Sequence, residues 1–95
     1  MTLPRTIHAA VQAAMHGHHS RIPALGCEWM TEPGSPDLHI DQLGARHHVV
    51  MPCEDVEAVA DNLVFRLALP QSERGDVVVI LAAWDAASRK ETRLQ

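Results

Sequence analysis

The feature that most constrains this chain is an uninterrupted apolar run, VVVILAA, which lies between Asp76 and Trp84. Three consecutive valines followed by isoleucine favour an extended backbone, because β-branched side chains lose rotamer freedom in a helix. A strand without polar alternation is usually covered on both faces. The run therefore predicts the central strand of a sheet, which the chain enters through a turn at residues 72–76.

Two helices are predicted from apolar residues that recur with helical spacing. The first runs from about Pro4 to His16. The second opens at Pro52 and ends near Leu69, because Pro70 cannot continue a helix. Its apolar stripe consists of Val56, Val59, Ala60, Leu63 and Leu67.

A half-buried strand is predicted between Ala24 and Glu32, where side chains alternate between two faces. One face carries Leu25, Cys27, Trp29 and Thr31, and the other carries Gly26, Glu28, Met30 and Glu32. Two prolines, a glycine and a serine then predict a loop at residues 33–37.

A hairpin is predicted from Leu38 to Gln42 and from Ala45 to Met51, with Leu43-Gly44 as its loop. This register opposes Asp41 with Arg46, Ile40 with His47 and His39 with His48, so that one face holds Leu38, Ile40, His47 and Val49. Leucine is unfavourable where a two-residue turn needs positive φ, so a three-residue loop with Gly44 left-handed is the rival. That rival mixes apolar and charged residues on both faces, and the first register is therefore preferred.

These elements predict an α+β fold of order α-β-β-β-α-β, a small mixed sheet with two helices packed on it. The strands at residues 45–51 and 77–83 would be parallel, because a helix connects them. Residues 1–95 are expected to form a single domain, in which residues from about 85 to 95 form a short helix or a frayed tail.

The charge distribution bears on the class of partner. The formal net charge is −4, yet residues 28–76 carry ten acidic side chains against three arginines. An acidic middle argues against nucleic acid and favours a basic partner, if there is a charged partner at all. No apolar stretch reaches membrane-spanning length. The two cysteines form no C-x-x-C motif, which indicates a reduced, cytoplasmic protein without a disulfide.

No stretch carries a specific catalytic or cofactor motif, and the glycines stand singly without G-x-G. The seven histidines are the main argument for a competing class, a His/Cys metal-binding domain or a small enzyme. His47 and His48 are adjacent strand residues that point to opposite faces, so they do not serve one ion. The expectation is no catalytic residue, no metal and no cofactor. Cys53 near a helix start is a conceivable thiolate, although Glu54 and Asp55 oppose it.

The second predicted helix offers the most interpretable surface. Glu54, Glu57 and Asp61 fall within about 60° of arc, and Phe65 borders them on the side away from the apolar stripe. Three acidic side chains at this spacing repel one another, so the stability of the helix does not explain why they occur together. Two readings of Phe65 stand open: an aromatic anchor for a partner, or an ordinary apolar residue that is covered by the first helix or singly exposed.

These features predict a small, acidic, non-enzymatic regulator or inhibitor that binds and masks another protein, with Glu54, Glu57, Asp61 and Phe65 at the interface. The expected partner is a protein with a basic surface, and a homodimer is the second arrangement. By analogy of size and charge alone, the chain is similar to small inhibitors carried by phages and mobile elements, including those that block CRISPR machinery.

Overall fold

The computed structural model describes residues 11–12 and 21–93 of the chain. In this part of the protein four strands form one antiparallel sheet in sequential order, and two helices follow. The strands are β1 (Ile22–Ala24), β2 (Cys27–Thr31), β3 (Leu38–Gln42) and β4 (Ala45–Val49). The helices are α1 (Val56–Arg66) and α2 (Arg74–Arg93), and a 3-10 turn at Gln71–Glu73 precedes α2.

The predicted order α-β-β-β-α-β with a mixed sheet is wrong, because the apolar run from Asp76 to Trp84 is part of α2. The observed order in the described residues is β-β-β-β-α-α, and the sheet is wholly antiparallel. Among the residues that the structure describes, no crossover connects two parallel strands. The predicted N-terminal helix lies outside the described residues except for Val11 and Gln12, which are helical.

Tertiary packing overrides the β-propensity of the valines in α2. Its fully or nearly fully buried residues recur with the spacing i, i+3, i+4, i+7 and i+11, which is one stripe of a helix: Val77, Ile80, Leu81, Trp84 and Ser88. A β-branched residue in a helix costs roughly a few tenths of a kcal/mol in lost rotamer freedom. Burial of one such side chain stabilises the fold by about 1.5–3 kcal/mol, which is more. Residues after Trp84 continue the same helix to Arg93.

The predicted strand from Ala24 to Glu32 is divided into β1 and β2 by a two-residue turn at Leu25-Gly26. Both turn residues have positive φ, 55° and 73°, which is the conformation of the tight turns that join antiparallel strands. Within β2, Cys27, Trp29 and Thr31 are buried on one face as predicted, but Met30 on the other predicted face is buried as well.

The β3–β4 hairpin has the predicted register, and the rival three-residue loop is wrong. Asp41 pairs with Arg46, Ile40 with His47 and His39 with His48, and the loop is Leu43-Gly44. Leu43 adopts φ 48° in spite of its side chain. The separation of apolar and polar faces therefore decided the register against the local preference of the turn residue.

One buried cluster joins the inward face of the sheet to both helices. Trp29 is its largest fully buried side chain, and the indole N–H donates to the carbonyl of Ala24 at 2.9 Å. From α1 the cluster takes Ala60, Leu63 and Val64, followed by Leu67 at the helix end. The predicted apolar stripe of this helix is thus confirmed, with Val56 and Val59 partly buried at its margin.

The helix α1 corresponds to the second predicted helix and begins four residues later than predicted, at Val56, because Asp55 provides the N-cap by accepting from the N–H of Ala58. The preceding segment is held against α2 instead. The Cys53 N–H donates to Asp85 at 2.9 Å, and Arg89 donates to the Cys53 carbonyl at 2.7 Å. These bonds satisfy backbone groups of a segment that has no regular secondary structure.

Substitutions in α2 distinguish the helix from a strand buried on both faces. Ile80→Ala is expected to lower the free energy of unfolding by about 2–5 kcal/mol, because Ile80 is completely buried. Ala82→Glu is expected to change it by less than about 0.5 kcal/mol, because Ala82 is exposed. Urea denaturation measures both values. A doubly covered strand would make Ala82→Glu severely destabilising, which would contradict the helix.

Candidate functional site

The outer face of α1 exposes the only phenylalanine of the chain. Phe65 is 85% exposed, whereas its neighbour Val64 and the nearby Leu67 are buried. The helical geometry therefore places Phe65 opposite the core stripe, as the sequence indicates. That a partner protein contacts Phe65 stays a prediction. Packing against the described residues does not explain why a phenylalanine occurs at this position.

Two of the three predicted acids are tied to the other helix. The guanidinium of Arg74, at the start of α2, donates to Asp61 at 2.6 Å through Nε and to Glu57 through Nη2. This hydrogen bond from Arg74 holds the pKa of Asp61 below its ordinary value. Both carboxylates in turn raise the pKa of Arg74. The three side chains form an inter-helix clamp, which we call the Arg74 clamp.

The Arg74 clamp corrects one step of the sequence reasoning. Glu57 and Asp61 were expected to repel one another without structural compensation, yet an arginine between them compensates the repulsion. The sequence predicts a turn at residues 72–76, and that prediction gives no reason to pair Arg74 with α1. A helix beginning at Arg74 would have been the signal, because a cation at a helix N-terminus is unfavourable unless acids neutralise it.

Glu54 differs from the other two acids. It is exposed, and no ion pair is formed by Glu54 with any other described residue. It precedes the Asp55 cap, close to the positive end of the helix dipole. The structure therefore brings Glu57 and Asp61 together around Arg74, and leaves Glu54 and Phe65 as exposed groups toward the two ends of α1.

The outer face of the sheet carries a second group of charges. Asp41 accepts from Arg46 at 2.7 Å and from Arg21 at 2.9 Å. The hydrogen bond from Arg46 is the main cause that lowers the pKa of Asp41 to about 2. Arg46 also pairs with Glu32, and Arg21 with Glu28. These residues pair one another across neighbouring strands, which is the usual role of such a row on a solvated sheet face.

The described histidines do not converge on a metal site. His39 and His48 stack with ring centroids 5.1 Å apart and planes at 20°. The Nε2 atom of His48 bonds to Asp37 at 2.8 Å. Within residues 11–12 and 21–93, no group of three or more His, Cys, Asp or Glu side chains is arranged to hold a metal ion. His16, His18 and His19 lie outside the described residues.

Neither thiol has the properties of a nucleophile. Cys27 and Cys53 are buried and free of disulfides, and burial raises the pKa of both. The carboxylate of Asp85 beside Cys53 raises its pKa further. Cys53 lies two residues before the N-cap Asp55, and both burial and Asp85 oppose a thiolate there. Among the described helices, none has an apolar segment of the length that a bilayer requires.

Comparison of the chain with protein-family models, with curated proteins and with solved structures found no match. The site is therefore interpreted from its own geometry and chemistry.

Acid titration of stability is expected to depend on Asp37. The Met51 N–H and His48 both bond to this carboxylate and lower its pKa. A carboxylate with a lowered pKa in the folded state contributes stability above its unfolded pKa, and that contribution is lost as pH falls through the folded value. Asp37→Asn should therefore lower the free energy of unfolding by about 1–2 kcal/mol near neutral pH.

The difference between wild type and Asp37→Asn should shrink as the pH falls from the unfolded-state pKa of about 4 through the lower pKa that Asp37 has in the folded protein. Urea denaturation at a series of pH values measures it. Glu54→Gln is the control, since Glu54 has no ion pair with another described residue. A difference that stays constant down to acid pH would contradict the assignment to the ionised form of Asp37.

The Arg74 clamp is expected to contribute to thermal stability. Arg74→Ala should lower the thermal midpoint, because it leaves Glu57 and Asp61 unpaired beside each other. The loss should be smaller in about 1 M NaCl, which screens the repulsion. Arg66→Ala is the matched control, since Arg66 bonds only to Asn62 of its own helix in the described contacts. Equal losses for both variants would count against the clamp.

Proposed function

We propose that this protein is a small, non-enzymatic, cytoplasmic regulator or inhibitor that binds another protein and masks its surface. The observation that carries the proposal is the 85% exposure of Phe65 on the outer face of α1. The interface would consist of Phe65 with Glu54, Glu57 and Asp61. The reduced thiols of Cys27 and Cys53 agree with a cytoplasmic location.

Phe65 is suited to anchor a partner. Its ring gains nothing from the core of this protein, since a phenylalanine with that exposure keeps most of its apolar surface in water. Transfer of the ring into a pocket on another protein would remove that surface from water. Aromatic residues buried at the centre of an interface commonly contribute about 2 kcal/mol or more to binding.

The charges beside Phe65 favour a basic partner. Glu54, Glu57 and Asp61 carry three negative charges, and Arg74 supplies one positive charge among them. These four side chains, which we call the acidic strip, therefore carry a net charge of −2. A lysine- or arginine-rich surface would be attracted to it and would associate faster at low salt. A nucleic acid or a second copy would meet like charge at this strip.

The proposal is tested by capturing partners from a lysate of the source cells on immobilised protein. Phe65→Ala is expected to abolish retention of the partner, and Glu54→Lys is expected to weaken it. Both variants should keep the wild-type thermal midpoint, because the two residues are exposed. Asp61→Lys is unsuitable, since it would also disrupt the Arg74 clamp.

A matched control distinguishes binding at this site from nonspecific apolar binding. Val50→Ala removes another exposed apolar side chain, which is 65% exposed and lies outside α1. This control should retain the partner. Equal retention by Phe65→Ala and wild type would contradict the proposal. A dimer in sedimentation velocity that Phe65→Ala removes would identify a second copy as the occupant.

A further inference from the structure

We propose that Leu43, in the β3–β4 turn, is a second anchor of the same interface and contacts the same basic protein partner as Phe65. This inference rests on the proposed function of the α1 surface. It adds a residue from a different part of the fold, and it makes the interface extend from the outer face of α1 to the end of the sheet.

Leu43 is unfavourable for the protein's own stability in two respects. Its φ of 48° lies in the left-handed region, where a side chain with a Cβ is strained. Its side chain is 100% exposed, so no burial offsets that strain. Asparagine or glycine would suit this position of a two-residue turn better. An outlier of this kind, which folding does not explain, is the type of feature that clusters at functional sites.

The turn between β1 and β2 also contains a leucine followed by a glycine, and there the structure explains the leucine. Leu25 has φ 55°, nearly the same strained conformation, and it also precedes a glycine. Its side chain, however, is partly buried and packs against the core cluster. Burial therefore explains leucine at position 25. The same residue in the same conformation at position 43 contacts no part of the described core.

Leu43 lies at the end of the molecule where α1 terminates. The side-chain amide of Gln42, the residue before Leu43, donates to the carbonyl of Leu67 at 2.7 Å. Leu67 follows Phe65 by two residues and is the C-cap of α1. This bond fixes the hairpin turn to the helix end. An interface of ordinary size buries about 800 Å² on each partner, which is enough to include the end of α1 and the turn that is bonded to it.

The charges around the two side chains select a protein with a basic rather than an acidic surface. Near Leu43, Asp41 and Glu28 are compensated by Arg46 and Arg21, so this end of the interface is close to neutral. The strip beside Phe65 keeps its net charge of −2. The partner would therefore offer apolar contact to both Leu43 and Phe65 and place lysine or arginine along α1. A second copy would bring two acidic strips together.

The first test compares stability at the two turns. Leu43→Asn is expected to raise the thermal midpoint by several degrees, because it relieves strain and removes no core contact. Leu25→Asn is the matched control and is expected to lower the midpoint, because it removes a side chain that packs on the core. A lower midpoint for Leu43→Asn would overturn the inference, since it would show that Leu43 serves the fold.

The second test locates the partner on the surface. Benzoylphenylalanine is introduced at position 43, 65 or 50 in three separate variants of the full chain, and each is irradiated in lysate. Positions 43 and 65 are expected to cross-link to the same protein, identified by mass spectrometry, through peptides rich in lysine or arginine. Position 50 lies at the opposite end of the hairpin from the turn and should give no such product.

The third test measures the dissociation constant of the purified partner protein that cross-links to position 65. Leu43→Asn should raise its dissociation constant about tenfold or more, while the variant itself is at least as stable as wild type. A cross-link at position 65 together with an unchanged dissociation constant for Leu43→Asn would overturn the inference and leave the proposed function standing. No product at either position would overturn both. Cross-linking to a second copy of this chain would contradict the inference that the partner is a different protein with a basic surface.

Discussion

Burial of one stripe of α2 against α1 and the sheet is the constraint on which the rest of the structure depends. The four strands form an antiparallel sheet whose inward face is apolar, and a sheet of this size is not stable with that face in water. Ile80, Leu81 and Trp84 cover it together with the stripe of α1. The free energy of this burial makes a helix out of a run of valines that would favour a strand in isolation.

Most of the charged side chains hold neighbouring segments to one another. Arg74 joins α1 to the start of α2 through Glu57 and Asp61. Asp85 and Arg89 hold the backbone of Cys53 against α2, in a segment that lacks a regular hydrogen-bonded ladder. Asp41 connects β1 and β4 through Arg21 and Arg46. The acidity of the middle of the chain is therefore largely structural, and only Glu54, Glu73 and Asp76 of its acids have no ion pair or capping bond within the described residues.

The residues that folding leaves unexplained are apolar and exposed. Phe65 lies opposite the core stripe of α1, and Leu43 occupies a left-handed turn position without any burial. A leucine with nearly the same backbone conformation at position 25 packs on the core, which shows that this fold accepts such strain when packing offsets it. The absence of an offset at Leu43, together with the exposed ring of Phe65, is the physical argument for the proposed protein interface.

The sequence by itself determined the elements whose periodicity is strong and local. The β3–β4 register follows from the alternation of apolar and polar side chains, and the stripe of α1 and the outward position of Phe65 follow from helical spacing. Only the tertiary structure decided the state of the run from Asp76 to Trp84, because a short apolar run fits a buried strand and a buried helix equally well. With that run misread, Arg74 was placed in a turn, and its pairing with Glu57 and Asp61 was missed. Contacts between residues distant in sequence depend on how elements pack, and no local pattern specifies them.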